Sequence, residues 1–219
     1  MQTIDLITKD VKALSATDKV GKVKKLFKEH NYSHLPVVDK GYLLGLIAET
    51  DIHTFENDDD LIKDFSFAFH LFFTDKKSNW LELFKIFSLN DTTIIPVLDK
   101  NQKYIGNYEL TDILHIFNNT PFLNETGTVL VVSKGIKDYS FSEIAQIVES
   151  NKATLLGAFI SNIHDDIVEA TIKLSDHDLN NTIQTFRRYD YSILTSFHVD
   201  EYLKTLKERS EYLQKYLNI

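Results

Sequence analysis

The sequence has no cysteine, which excludes disulfide staples, thiolate zinc sites and cysteine nucleophiles and fits a reducing cytosol. It also lacks a long apolar run. The most apolar window, residues 65–73, is about half the length a membrane helix requires and is interrupted by Ser66 and His70, so it reads as core. The opening stretch, MQTIDLITKDVKALS, carries acids where a secretory signal has a basic start and an unbroken apolar stretch; a cytoplasmic location and no membrane partner are expected. Basic charge is scarce. The net charge is −8, with acids gathered at residues 56–60, so the attraction to phosphate backbones that drives nucleic-acid binding has no surface to act from. The one basic run, Lys22, Lys24, Lys25 and Lys28, is interleaved with Val20, Val23, Leu26 and Phe27. It reads as a solvated helix face opposite a buried one, with a ligand-binding patch as the alternative.

Catalytic signatures are missing as well. There is no phosphate-cradling glycine loop, nucleophile elbow or metalloprotease helix. His30 and His34 have the spacing of helical metal ligands, yet Asn31, Tyr32 and Ser33 stand where the helix should end. Asp58, Asp59 and Asp60 are adjacent in a linker, and adjacency alone does not fix a coordination shell. Neither a metal site nor an enzyme is expected.

What is present is a repeat. The 219 residues, 43% apolar and 26% charged, suffice for two packed domains of about 100 to 150 residues each. LPVVDKGYLLGLIAETDI, from Leu35, returns as IPVLDKNQKYIGNYELTDI, from Ile95. Pro36, Val37, Asp39 and Lys40 match Pro96, Val97, Asp99 and Lys100; after a one-residue insertion, Gly45, Thr50, Asp51 and Ile52 match Gly106, Thr111, Asp112 and Ile113. Upstream, Val20, Val23, Leu26 and Phe27 align with Trp80, Leu83, Ile86 and Phe87, both sets in the i, i+3, i+6, i+7 spacing of an amphipathic helix. A short apolar strand follows, with proline at its start, then turn residues, a second apolar strand and another helix. Self-similarity at this period marks two copies of one supersecondary unit.

That order, with LPVVD and a glycine-led second strand closing on an aspartate, resembles the CBS module, over residues 1–118. The resemblance implies two modules, 1–56 and 57–120, paired about a pseudo-twofold axis with residues 53–73 as linker. It implies two clefts of the kind that hold AMP, ATP or a related adenosine ligand, and association into a homodimer. In ligand-binding relatives the second strand reads glycine, two apolar residues, Ser or Thr, two variable residues and Asp, the hydroxyl and carboxylate contacting ribose. By this likeness Asp51 and Asp112 are the ribose carboxylates, Thr50 and Thr111 offer neighbouring hydroxyls, Tyr32, His34 and Pro36 surround the adenine, and Thr92, Ile94 and Pro96 are their counterparts. Two positions depart: the hydroxyl position is Ala48 in the first copy, which offers no hydrogen bond, and Glu109 in the second, which costs Coulomb energy beside a phosphate. Asp51 and Asp112 also read as helix N-caps, with or without a ribose role.

Turn-forming residues gather at 118–127 and the periodicity then changes. Residues 129–132 read as a strand, 142–150 as a helix, 155–160 as a strand, 162–166 as a hairpin turn, 167–173 as an alternating strand, 178–188 as a helix and 191–199 as a strand. This βαββαβ order resembles the ACT domain, expected over 127–199. Amino-acid binders of that family usually carry Pro-Gly at the first strand-to-helix turn; here Asp138 and Tyr139 stand there, and a tyrosine blocks close approach. A CBS pair followed by an ACT-like domain is similar to the acetoin utilisation protein B family. Residues 200–219 read as a charged helix with Leu203, Leu206, Leu213 and Leu217, too short to coil alone and therefore in need of a partner surface. The fold class expected is α/β (α+β). Two functions remain open: a ligand sensor whose clefts bind an adenine nucleotide, and an interaction protein whose clefts are filled by side chains.

Overall fold

The computed structural model describes residues 3–175 and 179–196, and the chain divides into two units, residues 1–117 and 118–219. The first unit begins with a 3-10 helix, Thr3–Leu6, and then runs twice through one plan. In the first copy β1 (Leu14–Ser15) is followed by α1 (Val20–Glu29), β2 (His34–Asp39), β3 (Tyr42–Ala48) and the single turn α2 (Glu49–Ile52). A 3-10 helix, Ile62–Ala68, leads to the second copy: β4 (Thr74–Asp75), α3 (Trp80–Leu89), β5 (Ile94–Leu98), β6 (Tyr104–Glu109) and α4 (Leu110–Asn118). Each copy makes a three-stranded sheet with a parallel first pair and an antiparallel second pair.

Helix α1 buries Val20, Val23 and Phe27, the stripe its apolar spacing predicts. Helix α3 is started by a capping box: Asn79 Oδ1 accepts from the backbone N–H groups of Leu81 and Glu82, and Glu82 Oε2 accepts from Asn79 N–H. Pro36 and Pro96 are the third residues of their strands rather than the first. They are tolerated because β1 and β4 pair only from Val37 and Val97 onward, so no ladder bond is lost.

Two segments cross between the copies. Thr8 exchanges both backbone hydrogen bonds with Asn107 on β6, at 2.9 and 2.8 Å, and Leu6 and Ile7 pack into the second copy's core. His70, from the segment before the second copy, exchanges both of its own with Leu46 on β3, each 2.8 Å. Gly45 (φ +153°) and Gly106 (φ +149°) are required at these crossings. A Cβ on Gly106 would stand 2.5 Å from the Thr8 carbonyl oxygen, and one on Gly45 2.8 Å from Phe69 Cβ. These crossings correct the reading of residues 65–73 as core. Phe65, Ala68, Phe69 and Phe72 pack inward, but Phe67, Leu71 and Phe73 are exposed.

The second unit contains a one-turn helix α5 (Pro121–Asn124), then β7 (Thr128–Gly135), α6 (Phe141–Ser150), β8 (Leu155–His164), β9 (Ile167–Leu174), α7 (Leu179–Arg188) and β10 (Ser192–Ser196). The sheet is antiparallel in the order β10-β7-β9-β8, so the βαββαβ chain closes as a ferredoxin-like fold. Its core joins Leu130, Val132, Ala170 and Ile172 of the sheet to Ile144 and Ile147 of α6 and Ile183 and Phe186 of α7. The mixed α/β expectation holds. The hairpin expectation is corrected: Asn162, Ile163 and His164 belong to β8, and the turn is Asp165 and Asp166 alone, both at positive φ (47° and 59°), as a two-residue hairpin loop requires. The helix expected over residues 200–219 and the last residues of the expected final strand lie outside the described residues.

Candidate functional site

The two copies meet at residues that are equivalents of one another. Ser33 and Thr93, sixty positions apart, bond reciprocally: Ser33 N–H donates to Thr93 Oγ1 at 3.1 Å, and Thr93 N–H donates to Ser33 Oγ at 2.8 Å. Each also accepts, through its carbonyl, the N–H of the first residue of the following helix: Glu49 to Ser33 and Leu110 to Thr93, both 2.9 Å. The start of each strand is thereby tied to the start of the helix carrying Asp51 or Asp112. This defines two repeat-related sites.

At the first site His34 is 7% exposed and its Nδ1 lies 3.0 Å from Ser33 Oγ. Its ring meets those of His70 and Phe72 edge-on, with centroids 5.3 and 5.6 Å apart. His70 Nε2 in turn lies 2.8 Å from Asp51 Oδ2. Burial, then the facing His70, hold His34 below the ordinary histidine value, with Asp51 and Asp91 acting the other way. A carboxylate thus stands beside two imidazoles, groups that between them both accept and donate hydrogen bonds.

The second site has the opposite character. Ile94 replaces His34 and is fully buried in the first copy's core cluster, and Glu109 replaces Ala48. Partial burial, then Asp112 and Asp10, push Glu109 above the usual carboxylate value. Burial, then Glu109 and Asp10, raise the Tyr32 phenol. Tyr32, assigned by the family resemblance to the first site, therefore lies under the influence of the second site's carboxylates.

The helix caps expected of Asp51 and Asp112 are not formed. Helix α2 is capped by Ala48 without a side-chain bond, and Asp51 is its third residue; Asp112 is likewise the third residue of α4. The strand-to-helix junction falls earlier than the motif suggests, so both carboxylates project from a first turn, still favourable to the helix dipole. Thr50 and Thr111 are exposed residues of the same helices and not strand residues. Pro36 and Pro96 are buried. Thr92 is 3% exposed and spends its hydroxyl on the carbonyl of Ile94 at 2.8 Å. Sequence reasoning missed His70, whose only signal is a polar residue inside the apolar window. It also missed a groove of about 430 Å³ lined by Phe84, Phe87, Thr92, Thr93, Leu110 and Leu114. Among the described residues no group of three or more His, Cys, Asp or Glu side chains is placed to hold a metal ion, and no helix is long and apolar enough to cross a membrane.

In the second unit the turn between β7 and α6 is closed by its own side chains. Tyr139 packs on the core, and Ser140 N–H donates to the buried Tyr191 hydroxyl at 3.2 Å. Lys134 pairs with Glu143 at 2.8 Å and stands 4.6 Å over the Tyr191 ring. Burial pushes the Tyr191 phenol up to about 12.

Residues 4–56 match the CBS domain family, and the second copy repeats the element order of that segment. No curated protein matches the chain. Among solved structures it is similar to a CBS domain pair/ACT domain protein from Thermotoga maritima, at 18% identity over 53% of this chain and 96% of the other, TM-score 0.48. It is similar to the CBS domains of a transcriptional regulator from Streptococcus pneumoniae, at 18% identity over 52% and 98%, TM-score 0.46. A third likeness is the CBS domain of a bacterial CNNM/CorC family Mg2+ transporter in complex with ATP, at 17% identity over 52% and 85%, TM-score 0.43.

Proposed function

We propose that the protein is a non-catalytic regulatory protein, a CBS pair followed by an ACT-like domain, whose first site binds an adenine nucleotide such as AMP or ATP. The observation that carries this reading is the placement of the Asp51 carboxylate, in the first turn of α2, beside the imidazoles of His34 and His70. A carboxylate accepts from ribose hydroxyls, and an imidazole ring N–H donates toward phosphate oxygens, a part left to His34 because His70 is engaged with Asp51. The second site, with Glu109, Asp112 and Asp10 close together, repels a phosphate. The module order is similar to that of the acetoin utilisation protein B family. The protein works as a cytoplasmic homodimer, and light scattering is expected to give twice the 25.3 kDa chain mass.

Thermal unfolding tests the reading. A nucleotide that binds only the folded state, at about 100 times its dissociation constant, adds roughly 2.7 kcal/mol, about 5 to 10 °C for a chain of this size. AMP, ADP, ATP, NAD and S-adenosylmethionine are to be screened at millimolar concentration. At least one is expected to raise the melting temperature, with the increment lost in Asp51→Ala and kept in Asp112→Ala. A second reading has its own observation: Ala48 removes the ribose hydroxyl partner, and the groove beside Leu114 and the exposed Phe67 and Leu71 offer apolar surface. If no nucleotide shifts the wild type and none is carried through purification, the chain is an interaction protein.

A further inference from the structure

The first site is occupied from within. His70 is fixed by its backbone exchange with Leu46 on β3 and by Phe69, its neighbour, which sits where Gly45 has no Cβ. From that anchored position its imidazole lies against His34 and presents Nε2 to Asp51 Oδ2 at 2.8 Å. The same carboxylate is the group the nucleotide reading assigns to the ribose. The side chains of His70 and Asp51 are 49% and 36% exposed, so a ligand can reach the pair from solvent.

We infer that His70 is a specificity-determining residue of the first site: it holds the Asp51 carboxylate that a ribose diol needs, so a ribonucleotide engages that carboxylate only by displacing the imidazole. This rests on reading the site as a nucleotide site. A half-exposed pair of this kind contributes modestly, and two ribose hydroxyls offer the carboxylate two donors in place of one. A ligand without those hydroxyls has nothing to exchange and leaves His70 in place. The imidazole leaves by rotation of its own side chain, because the anchor is backbone to backbone and is not part of the exchange. The counterpart crossing places Thr8 beside Asn107 and brings a carboxylate, Asp10, to act on Glu109, so of the two repeat-related sites the first carries this competitor.

Calorimetric titration of the full chain separates the outcomes, with AMP and 2′,3′-dideoxyadenosine monophosphate as ligands and wild type and His70→Ala as proteins. The ligand-free variant is expected to melt within about 2 to 4 °C of wild type, since only a half-exposed pair is lost. His70→Ala is expected to bind AMP about two- to fivefold more tightly than wild type, with no change for the dideoxy analogue. If AMP binds wild type and binds the variant equally or more weakly, the inference is overturned while the nucleotide reading stands. An equal gain for both ligands also overturns it, because His70 would then act by bulk and not through Asp51. If neither protein binds AMP or any other nucleotide of the thermal screen, the nucleotide reading itself fails and takes the inference with it.

Discussion

In the first copy the crossing segment brings an imidazole to the carboxylate the two copies share, Asp51; in the second, the corresponding segment brings Asp10 to act, with Asp112, on Glu109. The backbone plan is the same: two exchanged hydrogen bonds, a glycine at positive φ, and a strand end tied to a helix start. The side chains that plan presents differ: imidazoles face the carboxylate in the first copy, and carboxylates crowd one another in the second. A repeat therefore fixes where a site falls and leaves its chemistry free, and the two sites of one chain need not take the same ligand.

The glycines give the largest expected effect. Gly106→Ala is expected to destabilise by about 3 kcal/mol, since its Cβ would meet the Thr8 carbonyl oxygen at 2.5 Å and Ile7 Cγ2 at 2.7 Å at a φ that alanine rarely adopts. Gly45→Ala is expected to cost less, about 1 to 2 kcal/mol, because its closest approaches are longer, Phe69 Cβ at 2.8 Å and the His70 carbonyl oxygen at 3.1 Å. Urea unfolding of both variants checks the order. Equal losses would mean that the two crossings are equally tight.

The first helices differ just as sharply. Lys24 and Phe84 are repeat equivalents. Lys24 Nζ donates to the Phe55 carbonyl and to Asp58, both at 2.7 Å, tethering α1 to the acidic linker. Phe84 instead packs edge-on against Trp80 and Phe117, with centroids 5.8 and 6.2 Å away. The lysine run read from sequence as a solvated face is thus in part a set of tethers, with Lys22 also paired to Asp18 and, just outside the run, Lys19 to Asp59. Phe84→Ala is expected to cost about 2 kcal/mol through lost packing, and Lys24→Ala about 1 kcal/mol. Raising salt should weaken the second loss and leave the first unchanged; a salt-insensitive Lys24→Ala would show that its carbonyl bond outweighs its ion pair.

The sequence carried the repeat, the α1 stripe and the βαββαβ order because each is written in side-chain periodicity, which burial enforces. The crossings were not legible. Thr8 with Asn107 and His70 with Leu46 are backbone pairings between distant positions, and the only trace they leave is Gly45 and Gly106, which also fit the family motif. Residues 65–73 misled because the segment, partly 3-10 helix with Phe65 outside helical geometry, has no fixed period from which to tell Phe67 and Leu71 from Phe65 and Phe69. Asp51 and Asp112 looked like caps because capping residues and first-turn acids share one composition signal; three residues of register separate the roles.

The smallest expected effect is the dependence of stability on pH, and here the two sites should pull in opposite directions. His34 is held below its ordinary value in the folded state, so the unfolded chain binds more protons just below about pH 6.5. Its contribution is fully present above that pH and is lost as the pH falls toward the depressed folded value. Glu109 is raised in the folded state, so the folded chain binds more protons above about pH 4.5. Its contribution is present below that pH and is lost as the pH rises through the raised folded value. The groups facing His34 are His70, Asp51 and Asp91, and the two carboxylates partly offset burial, which keeps the effect small. His34→Gln is expected to flatten the loss of stability on the acid side of neutrality, whereas Glu109→Gln should remove the loss on raising the pH above the carboxylate range. Melting temperatures of wild type and both variants between pH 4 and 8 measure this directly. If His34→Gln leaves the acid limb unchanged, the buried imidazole does not control it, and the charge contrast between the two sites would have to rest on Glu109, Asp112 and Asp10 alone.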